Sequence, residues 1–290
     1  VRLSRRSRLR TPVGVVAAVG VALLVLLTVL GPIVWGAAAD ANNVPDRMAA
    51  ASWEHPFGTD ELGRDMLARV LVATRLSILL TIGATAIAVV GGLTLGLIAT
   101  ALPRHPRRLL TGLLDILLAF PWLLLVLFFT VIWGASAIGA MLAVGFAGVP
   151  GSARIAYTMA SSVSGRDYVK AARVAGIGPF EALWRHVLPN IAGPLLVNTA
   201  AVASVTLLSF AALSFLGLGV QAPDYDWGAL LQDGIRRIYI TPMAAIGPGI
   251  AIVLAGLIFS LVSEALTGTR GGGLRAIAAV ASGAVAGTRS

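Results

Sequence analysis

The chain reads as an all-α integral membrane protein with six transmembrane helices, and three observations predict this. Hydrophobic residues make up 57% of its 290 residues and charged residues only 12%, with a mean hydropathy of +0.88. A soluble chain carries about twice that charged fraction. The apolar residues also gather in runs close to the ~20 needed to cross ~30 Å of hydrocarbon. Finally, the basic residues sort by side. With six spans and the N-terminus inside, 16 of the 22 Lys and Arg fall on cytoplasmic segments and 6 on outer ones. Lys/Arg bias on short loops sets topology, so both termini are expected in the cytoplasm. This sidedness accounts for the net charge of +9 and argues against nucleic acid as a partner; the partner it implies is the lipid bilayer.

The elements follow in order. A basic tail, VRLSRRSRLR, precedes a first span at 13–35. That run is longer than the 7–15 apolar residues of a signal peptide core, so a retained anchor is expected. An outer segment, 36–75, contains Gly58, Asp60, Gly63, Arg64 and Asp65. Glycine and acidic residues ahead of a helix read as a turn and N-cap, or as a contact for a docked protein. The second span, 76–102, carries Ala84, Ala88, Gly92 and Gly96 every four residues. Small residues on one face let another backbone approach, within this chain or in a partner. A basic turn, PRHPRR, leads to a third span at 109–133, with Asp115 in its first turns, and a fourth follows at 135–151.

The polar stretch 152–190 comes next. Within it, residues 166–176 can form a helix of about three turns. Tyr168, Ala171, Ala172 and Ala175 then share one broad face, and Arg166, Lys170 and Arg173 fall on the other side. Gly176 and Gly178 end that helix, and Pro179 opens the next element. The result is a small amphipathic peg, a shape suited to lying in a groove on a partner. The fifth span, 193–220, holds Asn198, Ser204, Thr206 and Ser209. These read as helix-packing hydrogen bonders, with Asn198, Ser204 and Thr206 as the alternative lining of a polar path. The sixth span is 243–266, with Glu264 in its last turns. The Gly/Ala-rich stretch 267–290 has an apolar part too short to cross and reads as a flexible cytoplasmic tail. The chain thus divides into an N-terminal part (1–75), a five-helix core bundle (76–266) with its loop at 152–190, and the tail.

No chemistry is visible. The chain has no cysteine, and His55, His105 and His186 stand far apart with no H-E-x-x-H spacing. No catalytic, cofactor-binding or metal-ligating residue is expected. Lys170 is the only lysine and is followed by Ala171, so the Gly-Lys-Ser/Thr of a P-loop is missing.

The offsets of Ala171, Ala172, Gly176, Leu188 and Pro189 resemble the E-A-A-x3-G-x9-I-x-L-P loop of bacterial ABC-importer permeases. Lys170 stands at the family's glutamate and His186 at its isoleucine. The R-H-x-L-P-N run is similar to that of the peptide-transport branch. HPFGTDELGRDMLARVLVATRLSI (55–78), LLDILLAFPWLLLVL (113–127) and SFLGLGVQAPDYDWGALLQDG (214–234) resemble the dipeptide, oligopeptide and nickel permeases. The likeness covers most of residues 10–270 and points to the C-type subunit of the dipeptide group.

The resemblance implies a type I importer permease fold in the bacterial plasma (inner) membrane, with the first helix packed around the other five. It implies a second permease subunit, two ATPase domains holding ATP and Mg, and an extracytoplasmic substrate-binding protein. Peptides are the leading cargo, with nickel chelates, glutathione or haem as variants. The ATPase-coupling residues carried over are Arg166, Asp167, Tyr168, Lys170, Ala171, Ala172, Arg173, Gly176, Leu188 and Pro189. Lys170, a charge reversal, implies a compensating acid on the ATPase. Ala84, Ala88, Gly92 and Gly96 become a helix-packing or partner-permease seam. The alternative is a stand-alone, gradient-driven secondary transporter. Such a carrier usually keeps an ionisable group near mid-membrane, where this sequence has almost none. A membrane enzyme would need a catalytic cluster that the scattered histidines do not offer.

Overall fold

A computed structural model describes residues 11–267. The basic tail 1–10 and the C-terminal stretch from 268 lie outside the described residues. The described residues are helical, without named strands; a single bridge, Thr59 to Asp65, ties the segment between the first two helices. Among the described residues, five helices are long and apolar enough to cross a membrane, and a pair of helices bent by 99° makes a sixth span when the two are taken together.

Helix α1, Pro12–Asp40, opens on the Thr11 hydroxyl, which caps Gly14 N–H at 3.1 Å. It is apolar all round, and much of it faces outward through Val19, Leu23, Val29 and Ile33. Gly31 rests on the Leu71 carbonyl and Gly20 on Ile258, which seats α1 on the second crossing helix and on the last. Helix α2, Met66–Ala101, begins well before the expected 76, capped by Asp65.

The third span is corrected. The expected continuous helix at 109–133 is two helices, α3 (Arg104–Ala119) and α4 (Trp122–Trp133), bent by 99°. Phe120 is extended ahead of Pro121. Proline crowds its predecessor out of the α region and cannot donate to the carbonyl four residues back.

The fourth span is extended. Helix α5, Ala137–Ser164, continues 13 residues past the expected end at 151. The stretch 152–190 is therefore mostly helix: the end of α5, the peg α6 (Asp167–Val174), and α7 (Pro179–Ala182). From α7 the chain passes through a π-turn (Leu183–Val187) into α8 (Leu188–Phe215). Helices α9 (Trp227–Ile235) and α10 (Met243–Thr267) complete the chain.

The two larger apolar cores among the described residues hold the bundle. One joins Leu24, Met66, Val70, Leu207, Trp227 and Ile252; the other joins Leu80, Val126, Val144, Phe210 and Leu213. The segment 41–65 and α9 share one end of the bundle, fastened by Trp227, whose indole N–H donates to the Val70 carbonyl at 2.9 Å. Helices α3, α6 and α7 sit at the opposite end.

Candidate functional site

The peg α6 leaves α5 after a two-residue break. Arg166 is its extended N-cap, Asp167 lies at its positive end and Arg173 near its negative end, the favourable placement of charge on a helix dipole. It stops in a Schellman arrangement: Ile177 N–H reaches the Ala172 carbonyl at 3.1 Å and Gly176 N–H reaches Arg173 at 3.0 Å. Gly176 takes φ +95° to do this, a conformation that costs other residues ~1–2 kcal/mol.

The wheel drawn from sequence put Tyr168, Ala171, Ala172 and Ala175 on one face. The structure rotates that reading. Val169 and Ala172 turn toward the bundle, and Val169 is fully buried. Tyr168, Ala171, Val174 and Ala175 are left exposed, with Arg166, Lys170 and Arg173 beside them. On either side of the peg in the chain, the end of α5 and the turn into α8 share a small core of Val163, Leu183, Val187 and Ile191, closed by Leu93 and Leu97 of α2.

Lys170 Nζ lies 3.2 Å from Asp167 Oδ1, a local exposed pair. His186 sits in the π-turn, its ring edge-on to Tyr168 with centroids 6.5 Å apart. The π-turn has a local cause. Pro189 has no N–H, and Leu188 N–H reaches back five residues to Leu183. The Asn190 amide then donates to the His186 carbonyl at 2.7 Å. Leu188 and Pro189 thus set how α8 leaves the peg. Sequence reasoning missed Phe180 and Trp184, one turn apart and both exposed beside the peg; their i, i+4 spacing was the available signal.

Ala84, Ala88, Gly92 and Gly96 are all buried against α5 of the same chain. A Cβ on Gly96 would stand 2.7 Å from Ala156 Cβ and from Tyr157 N, and one on Gly92 would overlap Ser152. Among the polar groups of α8, Ser204 donates to the Gly256 carbonyl of α10 at 2.9 Å, and Ser209 to Val205 one turn back. Thr206 is buried and Asn198 half-buried. Asn198, Ala201, Val205, Leu208 and Ala212 lie along one outward stripe of α8.

At the opposite end, Asp60 is the organising residue. Its carboxylate accepts from Leu62 N–H and Arg64 N–H, both at 2.9 Å, from Arg64 Nε at 2.7 Å and from Arg69 Nη1 at 3.0 Å. Burial alone would raise its pKa; the Arg64 and Leu62 hydrogen bonds outweigh that and hold it below the usual 3.8. Arg69 stacks over the Tyr225 ring at 4.2 Å. Asp65 caps α2 and meets His55 Nδ1 at 2.7 Å. Asp60, Arg64 and Asp65 are thus engaged in positioning the segment. Among the described residues, no group of His, Asp or Glu is arranged to hold a metal ion.

Residues 92–268 match the family described as binding-protein-dependent transport system inner membrane component. The chain is 32% identical over 257 residues to the dipeptide transport system permease protein DppC of Alkalihalophilus pseudofirmus, covering 89% of this chain and 84% of that protein. It is 37% identical over 213 residues to the di/tripeptide transport system permease protein DppC of Pseudomonas aeruginosa, covering 72% and 69%. It is 33% identical over 258 residues to the probable D,D-dipeptide transport system permease protein DdpC of Escherichia coli K12, covering 88% and 86%. The matched residues take in Gly92 and Gly96 of the seam, all of α5, the peg and the helices that follow it, and the chain belongs to the family of binding-protein-dependent transport system inner membrane components.

Proposed function

We propose that this chain is the permease subunit through which di- or oligopeptides enter a bacterial cell. It encloses the passage together with a second, similar permease, with both termini and α6 in the cytoplasm. Two ATPase domains, holding ATP and Mg, close beneath α6 and rock the bundle between inward- and outward-open states. A binding protein delivers cargo at the α9 end. The outward stripe of α8 that begins at Asn198 faces the passage; Ser204 and Thr206 support that helix from behind. Peptide cargo rests on the names of the relatives.

The observation that carries this reading is the peg itself. Its inner face is locked by Val169, and its outer face presents small and apolar side chains to an incoming surface. The chain lacks cysteine, so Val174→Cys, at a position 90% exposed, gives a single reactive handle. Cross-linking from that handle to a co-purified ATPase subunit is the expected result. Gly176→Arg should leave the amount of inserted protein unchanged and abolish ATP-driven peptide uptake. Normal uptake by Gly176→Arg, with no ATPase captured at position 174, would refute the coupling role.

A further inference from the structure

Helix α3 has a composition unlike that of the crossing helices. It opens with Arg104, His105, Arg107 and Arg108 and continues as a leucine-rich stretch. It packs loosely on the bundle, with Leu114 its only buried residue. At about 100° per residue, its side chains fall into three sectors, roughly a third of a turn apart. Leu110, Leu114 and Leu117 face the bundle. Leu109, Leu113 and Ile116 form an outward apolar stripe, 77%, 54% and 60% exposed, which Phe120 prolongs at 54%. Arg104, Arg108 and Asp115 make the third sector; Leu118, in the last turn, lies off this pattern.

A helix with one side on protein, one apolar side free and one side basic has the form of a helix lying along a membrane surface. Its 99° bend from α4 fits that placement: with α4 running into the membrane along its normal, α3 lies nearly in the plane. The opening turn adds a second argument. Its arginines crowd the positive end of the helix dipole, with no acidic residue in the first turn and no capping side chain. That arrangement is unfavourable in isolation and favourable beside an anion. Arg107 is committed to the Leu102 carbonyl, at 2.8 and 3.1 Å. Asp115 is committed to Arg154 of α5, at 3.3 Å. Arg104 and Arg108, one turn apart, make no ion pair among the described residues.

We propose that α3 is an interfacial helix that sinks Leu109, Leu113, Ile116 and Phe120 among acyl chains and holds anionic phospholipid headgroups on Arg104 and Arg108. The Asp115–Arg154 pair connects this contact to α5, and so to the peg, without passing through the passage.

The test uses the full-length permease, purified with its partners and placed in bilayers. A nitroxide on Leu113→Cys should relax readily with oxygen and poorly with a water-soluble nickel chelate. Spin-labelled phosphatidylglycerol should be preferred over phosphatidylcholine at the protein surface by roughly 5- to 30-fold, the order expected for one or two surface cations. The double change Arg104→Gln/Arg108→Gln should remove that preference, and Arg104→Lys/Arg108→Lys should keep it. A nitroxide at 113 shielded from both relaxing agents would mean that protein, such as the second permease, covers the stripe, and would overturn the proposal. An oxygen-accessible stripe with no loss of preference in the Gln pair would overturn the headgroup site.

Discussion

Two buried aspartates at the α9 end behave in opposite ways. Asp60 accepts four hydrogen bonds, one from Leu62, two from Arg64 and one from Arg69, so folding favours its charged form. Its contribution to stability is full above the ordinary value of 3.8 and is lost as pH falls through its lowered value. Asp60→Asn strands the buried Arg69, which should cost ~3 kcal/mol and lower the thermal midpoint in detergent by roughly 5–10 °C. The gap to wild type should hold from pH 5 to 8 and narrow only in acid below 3.8. Asp226 caps α9 through Ala229 N–H and accepts from the Ser214 hydroxyl, both at 2.8 Å. Burial raises its pKa, and no cation offsets it. Its charge is a penalty at high pH that shrinks as the pH falls through its raised value. Asp226→Asn, which keeps the cap, should therefore be neutral or stabilising at pH 8, and its advantage should diminish as the melt is repeated at lower pH.

The α2–α5 seam shows what a helix pair gains from lacking side chains. Gly92, Gly96, Gly145 and Gly148 each admit atoms of the facing helix where a Cβ would collide. Gly92→Ala should thus destabilise by ~1–3 kcal/mol, the usual cost of overpacking. Gly112 on α3 has nothing within 4 Å of its would-be Cβ, and Gly112→Ala should stabilise by ~0.5–1 kcal/mol through helix propensity alone. Paired thermal melts separate the two cases. The existence of these elements was legible in sequence, since apolar runs of membrane length leave few alternatives. The four-residue spacing of Ala84, Ala88, Gly92 and Gly96 also marked the contact face, although not which chain would fill it. Other features were hidden for physical reasons. The apolar pattern of 109–133 runs unbroken across Pro121, because membrane helices often tolerate proline, so only the three-dimensional bend separates α3 from α4. Residues 152–164, SARIAYTMASSVS, are too polar to score as a span yet helical enough to extend α5. A helical wheel gives the faces of the peg but not its rotation, which Val169 settles by burial.

At the scale of the molecule, the ends of the bundle have different characters. The α9 end is closed by ion pairs, a cation–π stack and the Trp227 anchor; the α6 end carries an exposed peg and a small apolar core. Their sidedness is directly measurable. Tyr239→Cys, at a fully exposed position near α9, should react with a membrane-impermeant maleimide in intact cells with the outer membrane permeabilised. Val174→Cys should react only after the inner membrane is opened. The reverse pattern would invert the orientation. The close α2–α5 seam has a further consequence, for the history of such a chain. Every single-base change that puts another amino acid in place of glycine introduces a Cβ, and at Gly92 or Gly96 each such change meets the backbone or Cβ of α5. One-step neighbours of this sequence are therefore disfavoured at these sites. Drift across the seam requires a compensating change on the other helix, so residues such as Gly92 and Ser152, or Gly96 and Ala156, would tend to be replaced in pairs.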